Sequence, residues 1–193
     1  MALMVAVEGL PGCGKTTAVA LMVEDMAAQG LRAYAVDIHT AAGAPELRVY
    51  ADAYPLTDPR HMMAIWMLRI QQHEAIQAIR ADMDVIVSDR SWWSAIAIDG
   101  YGNGVSRQFL GMIGEQLIMP DIVLLLRAQL RVLRERKRES RTLQDIAFAR
   151  RVARGYGTLA RIHGWRLIDA ARTPEQVKGV CLDIIHAALA GRK

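Results

Sequence analysis

The residues from Gly9 to Thr16 have the types and the spacing needed to bind phosphate groups. They read G-L-P-G-C-G-K-T and fit the pattern G-x-x-x-x-G-K-[ST]. Glycines let backbone N–H groups curl around phosphate oxygens, and the positive end of a following helix adds to the attraction. The Lys15 amine would reach the outer phosphates of a nucleoside triphosphate, and the Thr16 hydroxyl would bind Mg²⁺. The alternative is a glycine turn with an incidental lysine.

The loop and the first turn after it supply the residues that we predict to bind the phosphates: Gly9, Gly12, Cys13, Gly14, Lys15, Thr16 and Thr17. Cys13 stands at a variable position of the pattern. A small space-filling residue is a simpler interpretation of it than a redox switch.

Hydrophobic periodicity predicts the elements that must position this loop. The apolar run Leu3–Val7 lies just before Gly9 and has the character of a buried strand. Residues Lys15–Gln29 repeat apolar positions at helical spacing, and Gly30 is a natural helix stop. Strand, loop and helix in this order are the context that the phosphate-binding pattern requires.

The alternation of strand and helix continues to the end of the chain. Four further apolar segments are predicted as strands: Arg32–Asp37, Asp84–Ser88, Asp121–Leu126 and Trp165–Ile168. A long helix is predicted over Arg60–Ala81, and residues 38–59 are predicted to be mostly irregular with one short helix. We therefore predict an α/β fold of three layers, a mostly parallel five-stranded sheet flanked by helices, in one domain over residues 1–193.

Composition restricts the class of protein. The 193 residues are 52% hydrophobic and 23% charged, which favours a packed core and excludes a disordered chain. No apolar run reaches the roughly 18 residues of a membrane span, so we expect a cytoplasmic protein without a membrane partner. Two cysteines, Cys13 and Cys181, are too few for a disulfide framework, and we expect reduced thiols.

The positive charge is concentrated in one segment. The formal net charge is +4, but residues 127–154 contain ten basic and three acidic side chains. This segment carries +7 and the remainder −3. Such a segment can bind nucleic acid, a membrane surface or an anionic substrate. No aromatic residue interleaves the arginines between 127 and 141 to stack on bases, which disfavours nucleic acid.

Beyond the loop, five segments complete a pattern that resembles the thymidylate kinase family. They are Val85–Arg90 (VIVSDR), Ser94–Gly104 (SAIAIDGYGNG), Pro120–Leu126 (PDIVLLL), Arg151–Ala160 (RVARGYGTLA) and Ile168–Ala170. The resemblance covers most of the chain except residues 38–59. It implies a P-loop NTPase fold and a nucleoside monophosphate kinase, in which ATP lies on the glycine loop, a second nucleotide binds across the sheet end and an arginine-rich lid closes. It also suggests a homodimer.

In this context Asp89 and Arg90 acquire a chemical role. Asp89 ends a predicted strand beside the loop, so its carboxylate could hold Mg²⁺ or a water bound to it. Arg90 would direct its guanidinium to the phosphates and neutralise the charge that develops during transfer. The alternative is a capping aspartate followed by a surface arginine.

The basic segment is interpreted as an ATP lid over residues 134–145. A helix from Ala128 would place Arg131, Arg134 and Arg138 on one side, where like charges repel unless an anion is present. An arginine stabilises the oxygens of the transferred phosphoryl group, and a lid excludes water. A solvated basic face is the alternative. Four catalytic residues are thus predicted: Lys15, Arg90, Arg134 and Arg138.

The predicted helix Arg60–Ala81 indicates the acceptor site. Its apolar residues form an inward stripe: Met62, Ile65, Trp66, Ile76 and Ile79. Arg69 falls on this stripe, and an inward arginine requires an anion or a hydrogen-bond acceptor, or else a buried ion pair. The resemblance implies that Arg69 contacts the acceptor nucleotide, with Gln72 or His73 as further candidates. Trp66 or Trp92 could stack on a base, although tryptophans are more often core residues.

Several positions depart from the family pattern around the acceptor. Where this chain has Pro11, the family has Asp, and where it has Ser91, the family has an aromatic residue. The family has Tyr-Gln in place of Ile98-Asp99, and R-E-P-G-G in place of residues 39–43. A carboxylate prefers a donor-rich partner. Asp99 is therefore predicted to bind an acceptor that carries an amine or a hydroxyl group.

The leading prediction is an enzyme that converts dTMP and ATP to dTDP and ADP with Mg²⁺. The second is a kinase of a deoxynucleoside or another small molecule, because Asp89-Arg90-Ser91 also resembles the E/D-R-S element of deoxynucleoside kinases. A nucleotide-binding switch or a nucleic-acid-associated ATPase is the alternative from another class. We expect a small-molecule nucleotide or nucleoside as partner and no nucleic acid.

Overall fold

Five parallel strands form the centre of the computed structural model, which describes residues 1–38 and 44–192. The strands are β1 (Leu3–Glu8), β2 (Ala33–Asp37), β3 (Val85–Asp89), β4 (Ile122–Arg127) and β5 (Arg166–Asp169). Their order is β2-β3-β1-β4-β5, and each neighbouring pair is parallel. All five predicted strands are present within one residue at each end, and the predicted α/β class is confirmed.

Helices pack on both faces of this sheet. In chain order they are α1 (Lys15–Ala28), α2 (Ala44–Asp52), α3 (Pro59–Ile79), α4 (Trp93–Ala95), a π-helix (Ile96–Gly102), α5 (Arg107–Gly114), α6 (Leu130–Arg136), α7 (Arg141–Gln144), α8 (Ile146–His163) and α9 (Pro174–Ala190). The helix after the loop and the long helix lie where they were predicted. Within the described ranges, no helix has the length and apolar character needed to cross a membrane.

Side chains of the central strands alternate between two apolar layers. Leu3, Val5 and Val87 belong to the larger cluster, together with residues of α1, α8 and α9. Met4 and Ile86 lie in the cluster of the other face, which includes α3. Burying each such side chain stabilises the fold by about 1.5–3 kcal/mol. The carboxyl ends of β1 and β3 are therefore held rigidly, and the candidate site is built there.

Local signals begin the helices around the site. Asp58 accepts a hydrogen bond from the Arg60 N–H at 2.8 Å and Pro59 occupies the first turn of α3. Asp145 caps α8 by accepting from the Phe148 N–H at 2.9 Å. α1 begins directly after Gly14, whose φ of 87° is left-handed. The phosphate loop is thereby joined to a helix N-terminus with free N–H groups.

The helix of the basic segment ends earlier than predicted, because α6 stops one residue before Lys137, which has non-helical backbone. The Leu133 carbonyl and Lys137 lie against Gly12, where a Cβ atom would approach them to 2.8 and 3.3 Å. This close packing on the loop overrides the helix propensity of the charged residues. Arg138 lies outside α6, and the predicted common face for three arginines is wrong.

Candidate active site

A cleft of about 790 Å³ lies beyond the carboxyl ends of β1, β2 and β3. This is where ligands bind in open parallel sheets. The loop and the first turn after it contribute six lining residues: Pro11, Gly12, Gly14, Lys15, Thr16 and Thr17. The opposite part is lined by residues of α2, α3, the π-helix and the basic segment. Most of the predicted site residues are thus brought to one cleft.

Gly9 and Cys13 support the loop from behind. Gly9 has a φ of 141°, and a Cβ atom there would lie 2.5 Å from the Leu126 carbonyl oxygen, so the chain requires glycine. Cys13 is buried, and its Sγ atom lies 3.6 Å from Lys15 Nζ. Cys13 therefore fills space beneath the loop, and its side chain does not line the cleft.

Lys15 is enclosed where phosphate groups would lie. Its Nζ atom donates to the Leu10 carbonyl at 3.1 Å, and the side chain is buried. Burial lowers the pKa of Lys15, and the positive charge of Arg90 lowers it further. An anion in the cleft would counter both effects, so the surroundings of Lys15 favour binding of phosphate.

Thr16 and Asp89 form an oxygen-rich corner beside the loop. Thr16 Oγ1 donates to Asp89 Oδ2 at 2.6 Å, whereas Asp89 Oδ1 is buried and has no hydrogen-bond partner among residues 1–38 and 44–192. Hydroxyl and carboxylate oxygens are ligands that Mg²⁺ prefers, and Mg²⁺ usually keeps several waters and substrate phosphates. Within residues 1–38 and 44–192 there is no cluster of three His, Cys, Asp or Glu residues that could hold a metal alone. The corner fits Mg²⁺ that is shared with phosphates.

Arg90 follows β3 with a φ of 73°, an uncommon conformation for a residue other than glycine. Its Nη1 atom donates to the Gly9 carbonyl at 3.2 Å and to the Tyr156 hydroxyl at 3.3 Å. Burial alone would lower the pKa of Arg90, but Tyr156, Asp89 and Glu8 raise it above its ordinary value. The guanidinium is therefore charged, and it lines the cleft beside the loop.

Glu8 organises a hydrogen-bond network that was not predicted from the sequence. Its carboxylate is fully buried and accepts from Ser91 N–H and Oγ at 2.8 Å, from Ser94 Oγ at 2.6 Å and from the Tyr156 hydroxyl at 3.1 Å. The network joins β1, the segment after β3 and α8, and it holds Arg90 against the loop. The one sequence signal for this role was the position of Glu8, a charged residue at the end of an apolar strand. A charge buried there requires hydrogen-bond partners.

Arg69 of α3 and Asp99 of the π-helix both line the cleft, in the part predicted to bind the acceptor. Arg69 is 3% exposed, and its Nη1 atom donates to the Ser91 carbonyl at 2.6 Å. Burial raises the pKa of Asp99 to about 6, and Arg69, Asn103 and Trp66 lower it only in part. No carboxylate of the described residues lies within ion-pair distance of Arg69. Trp66 is half-buried.

Other residues that were predicted to bind the acceptor nucleotide lie beneath the cleft. Gln72 Nε2 donates to Ser88 Oγ at 2.9 Å, and His73 Nδ1 accepts from the Ile118 N–H at 2.9 Å. Trp92 is buried and stacks on Trp93 with ring centroids 4.1 Å apart. The inward stripe is narrower than predicted, since Ile76 is buried but several members are half-buried: Met62, Ile65, Trp66 and Ile79. Residues 39–43, which differ from the family pattern, lie outside the residues that the structure describes.

The basic segment contributes different arginines from those predicted. Arg136 and Arg141 line the cleft, whereas Arg134 and Arg138 are exposed and do not line it. The early end of α6 explains this difference, because the chain turns across the cleft after Arg136. The catalytic roles of Arg134 and Arg138 stay predictions that this geometry does not favour.

Arg141 fixes the segment to the acceptor side. Its Nη1 atom donates to the Tyr54 carbonyl at 2.7 Å, and its guanidinium pairs with Asp52 at the end of α2. Arg136 Nη1 instead donates to the Ala170 carbonyl at 2.7 Å, next to β5. The segment therefore bridges the two sides of the cleft, as a lid would.

The chain is similar to thymidylate kinases over most of its length. The thymidylate kinase family model matches residues 7–179. A thymidylate kinase of Synechococcus sp. (strain WH7803) is 31% identical, over 88% of each chain. A thymidylate kinase of Nitratidesulfovibrio vulgaris (strain DP4) is 29% identical over 97% of this chain and 93% of its own. One of Synechococcus sp. (strain CC9605) is 29% identical over 90% and 92%.

Proposed function

The chain belongs to the thymidylate kinase family, and from that membership we propose that it transfers the terminal phosphoryl group of ATP to the phosphate of dTMP. The family consists of nucleoside monophosphate kinases that use ATP as donor, so the chain is a phosphotransferase. The acceptor dTMP, the metal Mg²⁺ and a cytoplasmic location, where ATP and nucleotides occur, are parts of the proposal.

The observation that carries the proposal is the contact between Thr16 and Asp89. It joins the phosphate loop to the end of β3 at 2.6 Å and leaves one buried carboxylate oxygen open. Arg90 follows directly and lines the same cleft as the loop. Oxygen ligands for a metal and a fixed guanidinium beside a phosphate loop are the parts that phosphoryl transfer needs.

Each side chain has a role that follows from its position. The loop N–H groups and Lys15 bind the donor phosphates and neutralise their charge. Arg90 is held by Gly9 and Tyr156, so it can stabilise the oxygens of the phosphoryl group without reorganising. Arg136 and Arg141 lie across the opening and exclude water. Thr16 and Asp89 would hold Mg²⁺, which when bound supplies positive charge between the phosphates.

The reaction exchanges one phosphorus–oxygen bond for another. An oxygen of the acceptor phosphate forms the new bond to the terminal phosphorus of ATP, and the bond to the bridging oxygen of ADP breaks. Arg69 lies at the acceptor end with its guanidinium only partly used by Ser91. Arg69 is therefore suited to hold the acceptor phosphate in line with the phosphorus–oxygen bond that breaks.

Lys15→Ala tests the proposal. We expect ADP release in the presence of dTMP to fall at least about 100-fold, because removal of a preorganised charge at the transition state has this size. The thermal unfolding midpoint should change little. Lys178→Ala is the control, since Lys178 forms surface ion pairs with Asp25 and Glu175 away from the cleft. Unchanged turnover in Lys15→Ala would overturn the mechanism.

A panel of acceptors separates this proposal from a nucleoside kinase. ADP release is measured with nucleoside monophosphates, with deoxynucleosides and with amino sugars. We expect turnover with monophosphates. Turnover with deoxynucleosides alone would instead identify a kinase of a small hydroxyl compound.

A further inference from the structure

Asp99 is a carboxylate with too few hydrogen-bond donors. Its side chain is 5% exposed and lines the cleft from the π-helix. The Asn103 amide reaches Asp99 Oδ1 only at 3.5 Å, while the same amide nitrogen donates to the Leu56 carbonyl at 3.0 Å. An ionised carboxylate can accept about four hydrogen bonds, so Asp99 retains capacity for a ligand.

Arg69 is the complementary group beside it. Its guanidinium is almost fully buried, one nitrogen donates to Ser91, and the Nε atom has no partner in the part of the chain that the structure describes. Arg69 and Asp99 line the same cleft, and the positive charge of Arg69 lowers the pKa of Asp99. The acceptor end of the cleft thus offers an open hydrogen-bond acceptor next to open donors.

Apolar side chains also line the cleft that contains this pair. They are Leu56, Ile65 and Ile98. Water that competes for Asp99 and Arg69 would be displaced by a flat ring between these side chains. Hydrogen bonds to charged groups then discriminate strongly between ligands, because a ligand that leaves them unpaired incurs their desolvation cost.

We propose that Asp99 extends the acceptor range from thymine to nucleobases that carry an exocyclic amine next to a ring nitrogen, as cytosine does. The amine N–H donates to Asp99, and Arg69 donates to the adjacent ring nitrogen. A carboxylate only accepts, so it faces an amine favourably and a carbonyl oxygen unfavourably. A side-chain amide, with both a donor and an acceptor, would not make this distinction. The inference rests on the proposed nucleoside monophosphate kinase activity.

The experiment compares dCMP with dUMP, whose bases differ only in the amine or carbonyl group and the proton on the neighbouring ring nitrogen. The ratio of kcat/KM for dCMP to that for dUMP is measured at pH 8 with wild type, Asp99→Asn and Asp183→Asn. We expect Asp99→Asn to lower this ratio at least about 10-fold, mainly through the KM for dCMP. Asp183→Asn removes the same charge from the exposed surface of α9 and should leave the ratio unchanged.

The outcomes separate this inference from the proposed function. Turnover of dTMP without turnover of dCMP, or an equal ratio in wild type and Asp99→Asn, would overturn the inference alone. Absence of ADP release with every monophosphate would overturn the proposed function. Asp99→Gln is the second variant if Asp99→Asn does not fold, and it is expected to lower the ratio in the same direction.

Discussion

At neutral pH the Asp99 carboxylate reduces the stability of the fold. Burial raises its pKa from 3.8 to about 6, and the neighbouring Arg69 charge opposes this only in part. A raised pKa means that the folded protein holds the proton more tightly than the unfolded chain does. Stability is therefore lost as the pH rises from about 4 to about 6, and the loss amounts to about 3 kcal/mol at pH 7.

We expect Asp99→Asn to increase the free energy of unfolding by up to about 3 kcal/mol at pH 7, because it removes a buried charge. The increase should fall to about half at pH 5 and vanish below about pH 4. Urea unfolding at these pH values measures it. Asp183→Asn, which changes an exposed carboxylate, should not show this pH dependence. A loss of stability at pH 7 in Asp99→Asn would contradict the burial cost.

Site residues whose positions follow from a local sequence pattern could be predicted. Those whose positions depend on contacts between distant parts of the chain could not. Thr16 and Asp89 each follow a recognisable strand or loop, and their contact follows from the pairing of neighbouring strands. Glu8 and Tyr156 are 148 residues apart, so only the fold brings them together. Gln72 was predicted as a candidate to contact the acceptor, but its amide donates to Ser88 Oγ, a contact that the local sequence does not indicate.

Arg141 attaches the basic segment to the side of the cleft that α2 forms. Its guanidinium donates to the Tyr54 carbonyl and pairs with Asp52, so α7 is tied to the end of α2. Asp52 also accepts from Arg48 Nε at 2.7 Å. A single exposed ion pair stabilises by only about 0–1 kcal/mol, but the bonds to backbone carbonyls add geometric restraint. The position of α7 thus depends on a contact that is weak enough to open.

Arg141→Ala should loosen this attachment. We expect the KM for the acceptor nucleotide to rise about threefold to tenfold, since the contact contributes on the order of 1 kcal/mol. Hydrolysis of ATP without acceptor should rise relative to transfer, because water enters the cleft. Arg131→Ala is the matched control, since Arg131 is exposed on α6 and forms a long ion pair with Glu135, at 4.0 Å. Equal effects of Arg141→Ala and Arg131→Ala would contradict this prediction, because loss of one positive charge from the basic segment, and not loss of the contact with α2, would then explain the change.

Strands were predicted to within one residue because their apolar runs are short and are bounded by charged or turn residues. The end of α6 was not predictable, since arginine, glutamate and lysine all favour helix and no glycine or proline marks the boundary. It is set by contact of Leu133 with Gly12, which are 121 positions apart. The π-helix also has no sequence signature of its own, yet it presents Asp99 to the cleft.

At the scale of the whole molecule, charge distinguishes the basic segment from the rest of the chain. Residues 127–154 carry +7 and the rest of the chain −3. Arg136, Lys137 and Arg141 bring part of this charge to the cleft, opposite Lys15 and Arg90. Positive groups from two sides thus converge on a space of small-molecule size. The suggested homodimer stays a prediction, and the exposed Met63 and Met67 of α3 are where we expect its contact.

This distribution predicts that consumption of ATP depends on a small acceptor and not on nucleic acid. We expect dTMP to stimulate ADP release at least about 10-fold over ATP alone, because acceptor binding completes the cleft. Single-stranded DNA should not stimulate it, since the acidic remainder of the chain repels an extended polyanion. The measurement is ADP release with each addition at low and moderate salt. Stimulation by DNA with a steep salt dependence would instead favour a nucleic-acid-associated ATPase, in which the same arginines contact backbone phosphates.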